Sequence, residues 1–185
     1  VFYTFVQIIK MPEHQHTEWY KNWFDSNYYH ILYKHRDWKE AEVFIDKLID
    51  FLKPLPEVKI LDMPCGKGRH AVYLNKKGFY VAAIDLSSQN IRCAKDHETQ
   101  NLSFKVHDMR EVFKKNCFDI VLNLFTSLGY FDDEAANKNV IAAASEALKP
   151  GGIFIIDFMN SKKVKKNLIE EEVQTIENIN FKISR

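Results

Sequence analysis

The stretch that most constrains this chain is Val58 to His70, VKILDMPCGKGRH. An apolar run of Val58, Ile60 and Leu61 ends in an acid, Asp62, and breaks at Pro64 into a short turn carrying Gly66 and Gly68. Ala71, Val72 and Leu74 then continue at helical spacing until Gly78, so the turn is expected between a parallel strand and the start of a helix. Such a junction is a ready nucleotide site: glycines let a ligand approach the backbone, and the free N–H groups of a helix start favour polar or anionic groups.

The segments around this unit repeat its pattern. Asp37 with Glu40 three residues later reads as a capping box, and Ala41, Phe44, Ile45, Leu48, Ile49 and Leu52 form one apolar stripe up to Pro54. Phe79–Ile84 is expected as a second strand ending at Asp85, with Ser87 or Ser88 capping a helix that runs to about His97. Leu102–Val106 gives a third strand ending at His107 and Asp108, and Cys117–Leu124 a fourth. Asp132 is expected to cap a helix through Leu148, and the turn Lys149–Gly152 to feed a fifth strand, Ile153–Phe158. Alternating strands and helices imply an α/β fold, a doubly wound and mainly parallel sheet whose ligand site lies beyond the C-terminal strand ends. Asp62, Asp85, Asp108 and Asn123 all fall at such ends.

The flanks are less regular. Residues 1–16 read equally as an added strand, a disordered leader or residues outside the natural domain, with His14 and His16 in a solvated linker. From Thr17 to Asp37 an aromatic segment reads either as a helix on the core or as a flap over a ligand. Ser161–Glu170 reads as a basic helix, and VQTI and INFKI as an antiparallel hairpin. The expected division is therefore 1–53, leader and helical cap; 54–160, the α/β core; and 161–185, a helix and hairpin that are either an insertion or a truncated part of the same domain. With unpaired hairpin edges, a homodimer through the hairpin is one expectation.

At 185 residues the chain can build one good core, hiding about 70 % of its unfolded surface. With 26 Lys and Arg against 25 Asp and Glu there is no global field to attract nucleic acid or an anionic membrane, which favours a small-molecule partner. Three cysteines without CxxC spacing fit reduced thiols and a cytoplasmic location, not a disulfide framework or a metal site. The apolar opening VFYTFVQIIK is too short for a membrane span and lacks the basic region of a signal peptide.

Two ligand classes use a strand, a glycine turn and an acid on the next strand. Gly66, Gly68 and Ala71 satisfy GxGxxA and Asp85 lies 19 residues after Gly66, which fits a nicotinamide dinucleotide and hence an oxidoreductase. Against it, Asp62 stands where a carboxylate meets a cationic amine and repels a pyrophosphate. Asp85 suits a ribose diol in either scheme, and Asp108 with the Met109 backbone suits an exocyclic adenine amine. The loop after the fourth strand, NLFTSLGYF, supplies apolar walls with little positive charge. A ligand with an amino-acid end, a ribose and an adenine fits this order.

These residues resemble the class I S-adenosylmethionine-dependent methyltransferases. LDMPCGKGRH looks like the first motif of that family, AAIDLS its second, HDMR its third, FDIVLNLFTSLGYF its fourth, and LKPGGIFIIDF the turn and strand that follow. Pro64 stands where the family usually has glycine, a PCGxGR variant found in small-molecule methyltransferases, and it removes one backbone donor. The resemblance implies the Rossmann-like methyltransferase fold and S-adenosylmethionine as cofactor, with S-adenosylhomocysteine as product. It implies that Asp62, Pro64, Cys65, Gly66 and Gly68 hold the methionine portion, Asp85 the ribose, Leu86 the adenine face, Asp108 and Met109 the adenine edge, and that Asn123, Leu124 and Phe125 lie near the sulfonium. The acceptor is an unidentified N, O or C nucleophile. Tyr130, His30 and Tyr33 are the candidate bases, though each reads first as packing or substrate orientation. Cys65 reads as a small turn residue and not a nucleophile, while Arg69 and His70 read equally as solvated or as touching ligand. A third reading, a non-catalytic module that binds a protein through its hairpin and aromatic segment, rests on the missing obvious base and on the unpaired strand edges expected at the end of the chain.

Overall fold

The computed structural model describes residues 19–184. The expectations for residues 1–16 and for Thr17 lie outside them. The described residues form two compact units, one from Arg36 to Phe158, the other from the residues up to His35 together with those from Met159 on.

The larger unit opens with helix α1, Trp38–Leu52. Asp37 takes extended backbone and its Oδ1 accepts the Glu40 N–H at 2.9 Å, half of the expected capping box. The Glu40 carboxylate turns instead to Arg69, at 2.8 Å. Ala41 and Ile45 are fully buried, with Phe44, Leu48, Ile49 and Leu52 packed against the same core, because their spacing puts them on one face. Lys53 closes the helix in the left-handed region at φ 46° before Pro54 stops it. Asp37→Ala should lower unfolding free energy by about 1 kcal/mol in a denaturant titration, the usual worth of such a cap.

Strands β1 (Lys59–Asp62), β2 (Tyr80–Asp85), β3 (Leu102–Val106), β4 (Phe118–Asn123) and β5 (Leu148–Ile156) make one parallel sheet in the order β3-β2-β1-β4-β5. Helices α2 (Arg69–Lys76), α3 (Ser88–Ala94) and α4 (Glu134–Ala147) connect them, α3 running on into a short 3₁₀ turn, Lys95–His97. The strand order reverses between β1 and β4, which is where an open parallel sheet leaves a crevice at its C-terminal edge. Alternation along the central strands feeds two cores. Ile60, Ile120 and Leu122 join α1 and α2 on one face; Leu61 and Val121 join Val140 and Ala144 of α4 on the other.

Boundaries differ from the periodic reading at several places: the fourth strand runs Phe118–Asn123 and not Cys117–Leu124, and two differences concern α4 and β5. Asp133, not Asp132, caps α4, its Oδ1 accepting the Ala135 N–H at 2.9 Å. The Lys149–Gly152 turn lies inside β5: pairing begins at Leu148 opposite Phe118, shifts register, and resumes at Ile153 opposite Ile120. Five residues of β5 thus span a step that two of β4 make, and the strand ends at Ile156, before the expected Phe158. A sequence cannot show this, because Pro150 and the two glycines advertise a turn but not that pairing has already started.

In the smaller unit the aromatic segment is broken into two six-residue helices, α5 (Trp19–Phe24) and α6 (Asn27–Leu32), with Ser26 capping the second. The Tyr29 ring meets those of Trp23, Phe24 and Tyr33 at 5.9, 4.9 and 5.0 Å. Helix α7 (Ser161–Lys166) stops at Asn167, short of the expected Glu170, and precedes the hairpin β6 (Glu171–Ile176) and β7 (Ile179–Ser184), which is antiparallel as expected. Its two turn residues, Glu177 and Asn178, sit at φ 52° and 63°, matching the twist of a two-residue hairpin loop.

Candidate functional site

The glycine turn is assembled from both neighbouring strands. The Met63 N–H donates to the Leu122 carbonyl at 2.9 Å on the β4 side, and the Cys65 N–H to the Ile84 carbonyl at 2.8 Å on the β2 side. The Gly66 N–H then donates to Asp85 Oδ2 at 2.8 Å, while Oδ1 of Asp85 accepts the Ser87 N–H, also at 2.8 Å. Asp85 thus holds the turn and the start of α3 together. Gly68 caps α2 at φ 81°, where an added Cβ would stand 2.5 and 2.7 Å from two atoms of the Phe104 ring. Cys65 is buried in the turn, and burial, then Asp62 and Asp85, push its thiol far up, away from the thiolate form.

Asp62 closes β1 with no exposed surface and no hydrogen-bond partner of good geometry for either oxygen. Burial, then repulsion from Asp85, raise its pKa to about 8, outweighing Arg69 and the Ala71 amide. Asn123 closes β4, equally buried; its Nδ2 donates to the Met63 carbonyl at 2.8 Å and toward Met109 Sδ at 3.6 Å, which leaves Oδ1 without a partner. Buried polar atoms are rarely left unpaired. Here the two carboxyl oxygens and one amide oxygen have no partner among the described residues, at the ends of adjacent strands.

The third acid lies next along the same edge. His107, directly after β3, donates its N–H to the Asp85 carbonyl at 3.0 Å, and Asp108 follows with its carboxylate bound by Arg110. Met109 is buried in the core on the α4 face, Leu124 in the core on the opposite face, and Leu86 is half-buried after Asp85. Tyr130 is half-buried in the loop between β4 and α4, whereas His30 and Tyr33 belong to the smaller unit.

Beyond β4 the backbone turns left-handed at two successive side-chain-bearing residues, Phe125 (φ 61°) and Thr126 (φ 57°). Asp157 holds them there. Its Oδ2 accepts the Phe125 N–H and its carbonyl the Thr126 N–H, both at 3.0 Å, while its own N–H donates to the Asn123 carbonyl at 2.9 Å. The Phe125 ring is flanked by the guanidinium groups of Arg69 at 4.2 Å and Arg36 at 4.7 Å, and by the His70 ring at 4.9 Å. His70 is not solvated. It is buried, with Nε2 unpartnered among the described residues, and burial followed by Arg69 lowers its pKa to about 3, so the ring is neutral. Sequence reasoning missed Asp157, whose contacts join segments far apart in the chain; an acid closing the fifth strand, as at the first three, was the available signal.

A surface hollow lined by Leu52, Pro54, Val58, Asp119 and Lys149 lies at the opposite edge of the sheet, where Asp119 is tied to Lys149 at 2.7 Å and to the Lys59 N–H at 2.8 Å. Among the described residues no cluster of His, Cys, Asp and Glu is arranged for a metal ion, and no helix is long and apolar enough to cross a membrane.

A family model described as a methyltransferase domain matches residues 60–152. The Bacillus subtilis protein YqeM, a candidate methyltransferase, is 35 % identical over 114 residues, covering 60 % of this chain and 46 % of its own. A ubiquinone biosynthesis O-methyltransferase of Pelagibacter ubique is 31 % identical over 116 residues, covering 58 % of this chain and 45 % of its own, so the chain spans about half the length of the curated relatives it matches. The solved structure of an S-adenosylmethionine-dependent methyltransferase from Clostridium acetobutylicum overlays with a TM-score of 0.64 at 25 % identity, covering 83 % of this chain and 63 % of the other. The family match spans half of the sequence and takes in the glycine turn and the strand-end acids, and the solved relative shares the sheet that carries them: the chain belongs to the class I S-adenosylmethionine-dependent methyltransferase family.

Proposed function

We propose that the protein transfers a methyl group from S-adenosylmethionine to an N, O or C nucleophile of a small molecule. The observation that carries this reading is the buried, unpartnered pair of acceptor groups, Asp62 and Asn123, at the glycine turn. An ammonium supplies the N–H donors and positive charge that Asp62 lacks; a dinucleotide pyrophosphate brings a second set of negative charges to a carboxylate that already titrates high. The methionine end is assigned to Asp62 and to Pro64, Cys65, Gly66 and Gly68 of the turn, the ribose to Asp85, the adenine to Leu86, Asp108 and Met109, and the reacting sulfur to the neighbourhood of Asn123, Leu124 and Phe125.

When bound, the cofactor supplies a methyl group already activated by a positively charged sulfur. What the chain must add is position: a nucleophile held about 3 to 3.5 Å from the methyl carbon gains most of the available acceleration without covalent help. A base is needed only for an acceptor that keeps its proton, and Tyr130, His30 and Tyr33 remain the candidates for that role. The sequence Asn123, Leu124, Phe125, Thr126 stands where DNA amino-methyltransferases carry a Pro-Pro-aromatic motif, and the net charge of +1 gives no field for nucleic acid, so both favour a small acceptor.

Isothermal calorimetry with S-adenosylhomocysteine should show one site. Asp85→Ala should weaken it tenfold or more, since hydrogen bonds to a charged group are worth about 1.5–3 kcal/mol. NADH titrated under the same conditions should leave its fluorescence unchanged; a folded protein that binds NADH and not S-adenosylhomocysteine would overturn the assignment in favour of an oxidoreductase.

A further inference from the structure

We propose that helix α7 and the residues on either side of it, 159–169, form a peripheral docking surface for an anionic lipid bilayer. The proposal is independent of the methyl-donor reading: it concerns the smaller unit and uses none of the residues assigned to the cofactor.

Four of the 26 basic residues of the chain fall within five positions, Lys162, Lys163, Lys165 and Lys166. At 3.6 residues per turn they cover an arc of about 160° on one side of the helix, and Val164 stands on the other. Lys162 lies one turn from Lys165 and Lys166, and Lys163 one turn from Lys166, so these like charges repel. None of the four has an ion pair among the described residues. The helix is held only at its ends: Asn160 Oδ1 accepts the Lys163 N–H at 3.0 Å, and the Asn167 N–H donates to the carbonyls of Lys163 and Val164, both at 3.2 Å. No side of it is buried, for every residue from 158 to 171 is exposed. A helix of this length is marginal in water, and helices in proteins take most of their stability from packing one face. Two things are missing within the chain, a neutralising charge and a cover for the apolar side chains. A bilayer surface carrying anionic headgroups supplies both.

The composition of the segment favours lipid over a macromolecular polyanion. Met159, Val164, Leu168 and Ile169 expose between 39 and 57 % of their surface, so apolar side chains are interleaved with the lysines. From 159 to 170 there is no arginine and no aromatic residue. Those are the types that grip phosphates in a fork, stack on bases and anchor protein interfaces, where lysine is depleted. Lysine beside apolar residues suits an interface with lipid: the ammonium is a point charge on a flexible stem that follows mobile headgroups, while the apolar side chains enter the acyl boundary. Glu170, Glu171 and Glu172 come next, but the last two are consecutive on β6 and point to opposite faces of the hairpin, so they gather into no opposing patch. The net charge of +1 averages over the whole chain, whereas attraction to a surface is set within a Debye length, about 8 Å at physiological salt. Such attachment is peripheral and needs no spanning helix; the described residues contain none.

The test is co-sedimentation of the full chain with phosphatidylcholine vesicles that contain about 30 mol % phosphatidylglycerol, against phosphatidylcholine alone, in about 50 mM NaCl. The wild type should partition onto the anionic vesicles about tenfold or more in preference to the neutral ones, and about 1 M NaCl should release it. One lysine near an anionic surface changes partitioning about fivefold, so Lys162→Glu with Lys166→Glu should weaken binding about 25-fold or more. Leu168→Ser with Ile169→Ser should weaken it severalfold and leave its salt dependence as it was. Circular dichroism melting curves should match the wild type, since all four side chains are exposed. Should the Glu variant not fold, Lys162→Gln with Lys166→Gln carries the same comparison with a smaller loss in the same direction. Failure of the wild type to partition onto the anionic vesicles at low salt overturns the proposal, as does partitioning that the lysine variants keep in full. Equal partitioning onto neutral and anionic vesicles overturns it too, because the lysines then select nothing. Binding of oligothymidylate that competes with the vesicles and survives Leu168→Ser with Ile169→Ser overturns it in favour of a nucleic-acid partner.

Discussion

Gly68→Ala is expected to cost the fold about 3 kcal/mol and to lower its melting temperature by about 10 °C. Two penalties combine. The residue caps α2 at φ 81°, a conformation that costs an ordinary L side chain about 1–2 kcal/mol. The new methyl group would also stand 2.5 and 2.7 Å from Cε1 and Cζ of Phe104, a ring with no exposed surface and hence no room to retreat. Gly66→Ala separates the two, because Gly66 has φ 55° but nothing within 4 Å of the added atom, and should cost only about 1–2 kcal/mol. Chemical denaturation of both variants measures the difference; equal losses would show that the Phe104 ring yields after all.

Asp62→Asn should stabilise the ligand-free protein in mild alkali while weakening S-adenosylhomocysteine a hundredfold or more. The carboxyl has a folded pKa of about 8 against an unfolded value near 3.8, so the native state binds the extra proton between those limits. The stability associated with that proton is complete below about 3.8 and is lost as pH rises through 8. His70 acts in the opposite sense: its folded pKa of about 3 lies below the ordinary 6.5, the unfolded chain binds the extra proton, and stability falls as pH drops from about 6.5 to 3. The two slopes roughly cancel between about 4 and 6.5, and above that only Asp62 remains. From pH 6.5 to 8 the wild type should therefore lose about 2 kcal/mol, at about 1.4 kcal/mol per unit, whereas the Asn variant, which cannot ionise, should stay level. A wild-type protein equally stable at both pH values would show that Asp62 is ionised throughout. Binding tells the complementary half. The amine of the ligand favours the ionised carboxylate, so association near neutral pH should release close to one proton, read from calorimetric enthalpies in buffers of different ionisation heat, and the Asn variant should release none.

Local pattern was enough to find the sheet and the turn. Val58–Leu61, Phe79–Ile84 and Leu102–Val106 are short apolar runs between punctuating acids and glycines, and the strands they name pair in the parallel order that alternation with helices requires. The family resemblance read from five ordered motifs agrees with the matched domain at residues 60–152. Long-range consequences were out of reach. Asp62 and Asp85 can be assigned to strand ends from their neighbours, but that one is left without a donor while the other holds Gly66 depends on how three strands meet. His70 looks like an exposed helix-start residue until Phe44 and Phe125 are packed beside it, at 6.0 and 4.9 Å. The left-handed step at Phe125 and Thr126 breaks the preference of both residue types, and their N–H groups are held by the carboxylate and the carbonyl of Asp157, 32 residues beyond Phe125.

Arg69 gives the sheet unit an unusual mechanical link. Its guanidinium reaches the Asp37 carbonyl at 3.1 Å and the Glu40 carboxylate at 2.8 Å at the start of α1, and covers the Phe125 ring beyond β4. One side chain thus fastens the start of α1 to the loop assigned to the reacting sulfur. A change at Glu40 therefore reaches that loop through a single intervening side chain, from a position to which no ligand contact is assigned.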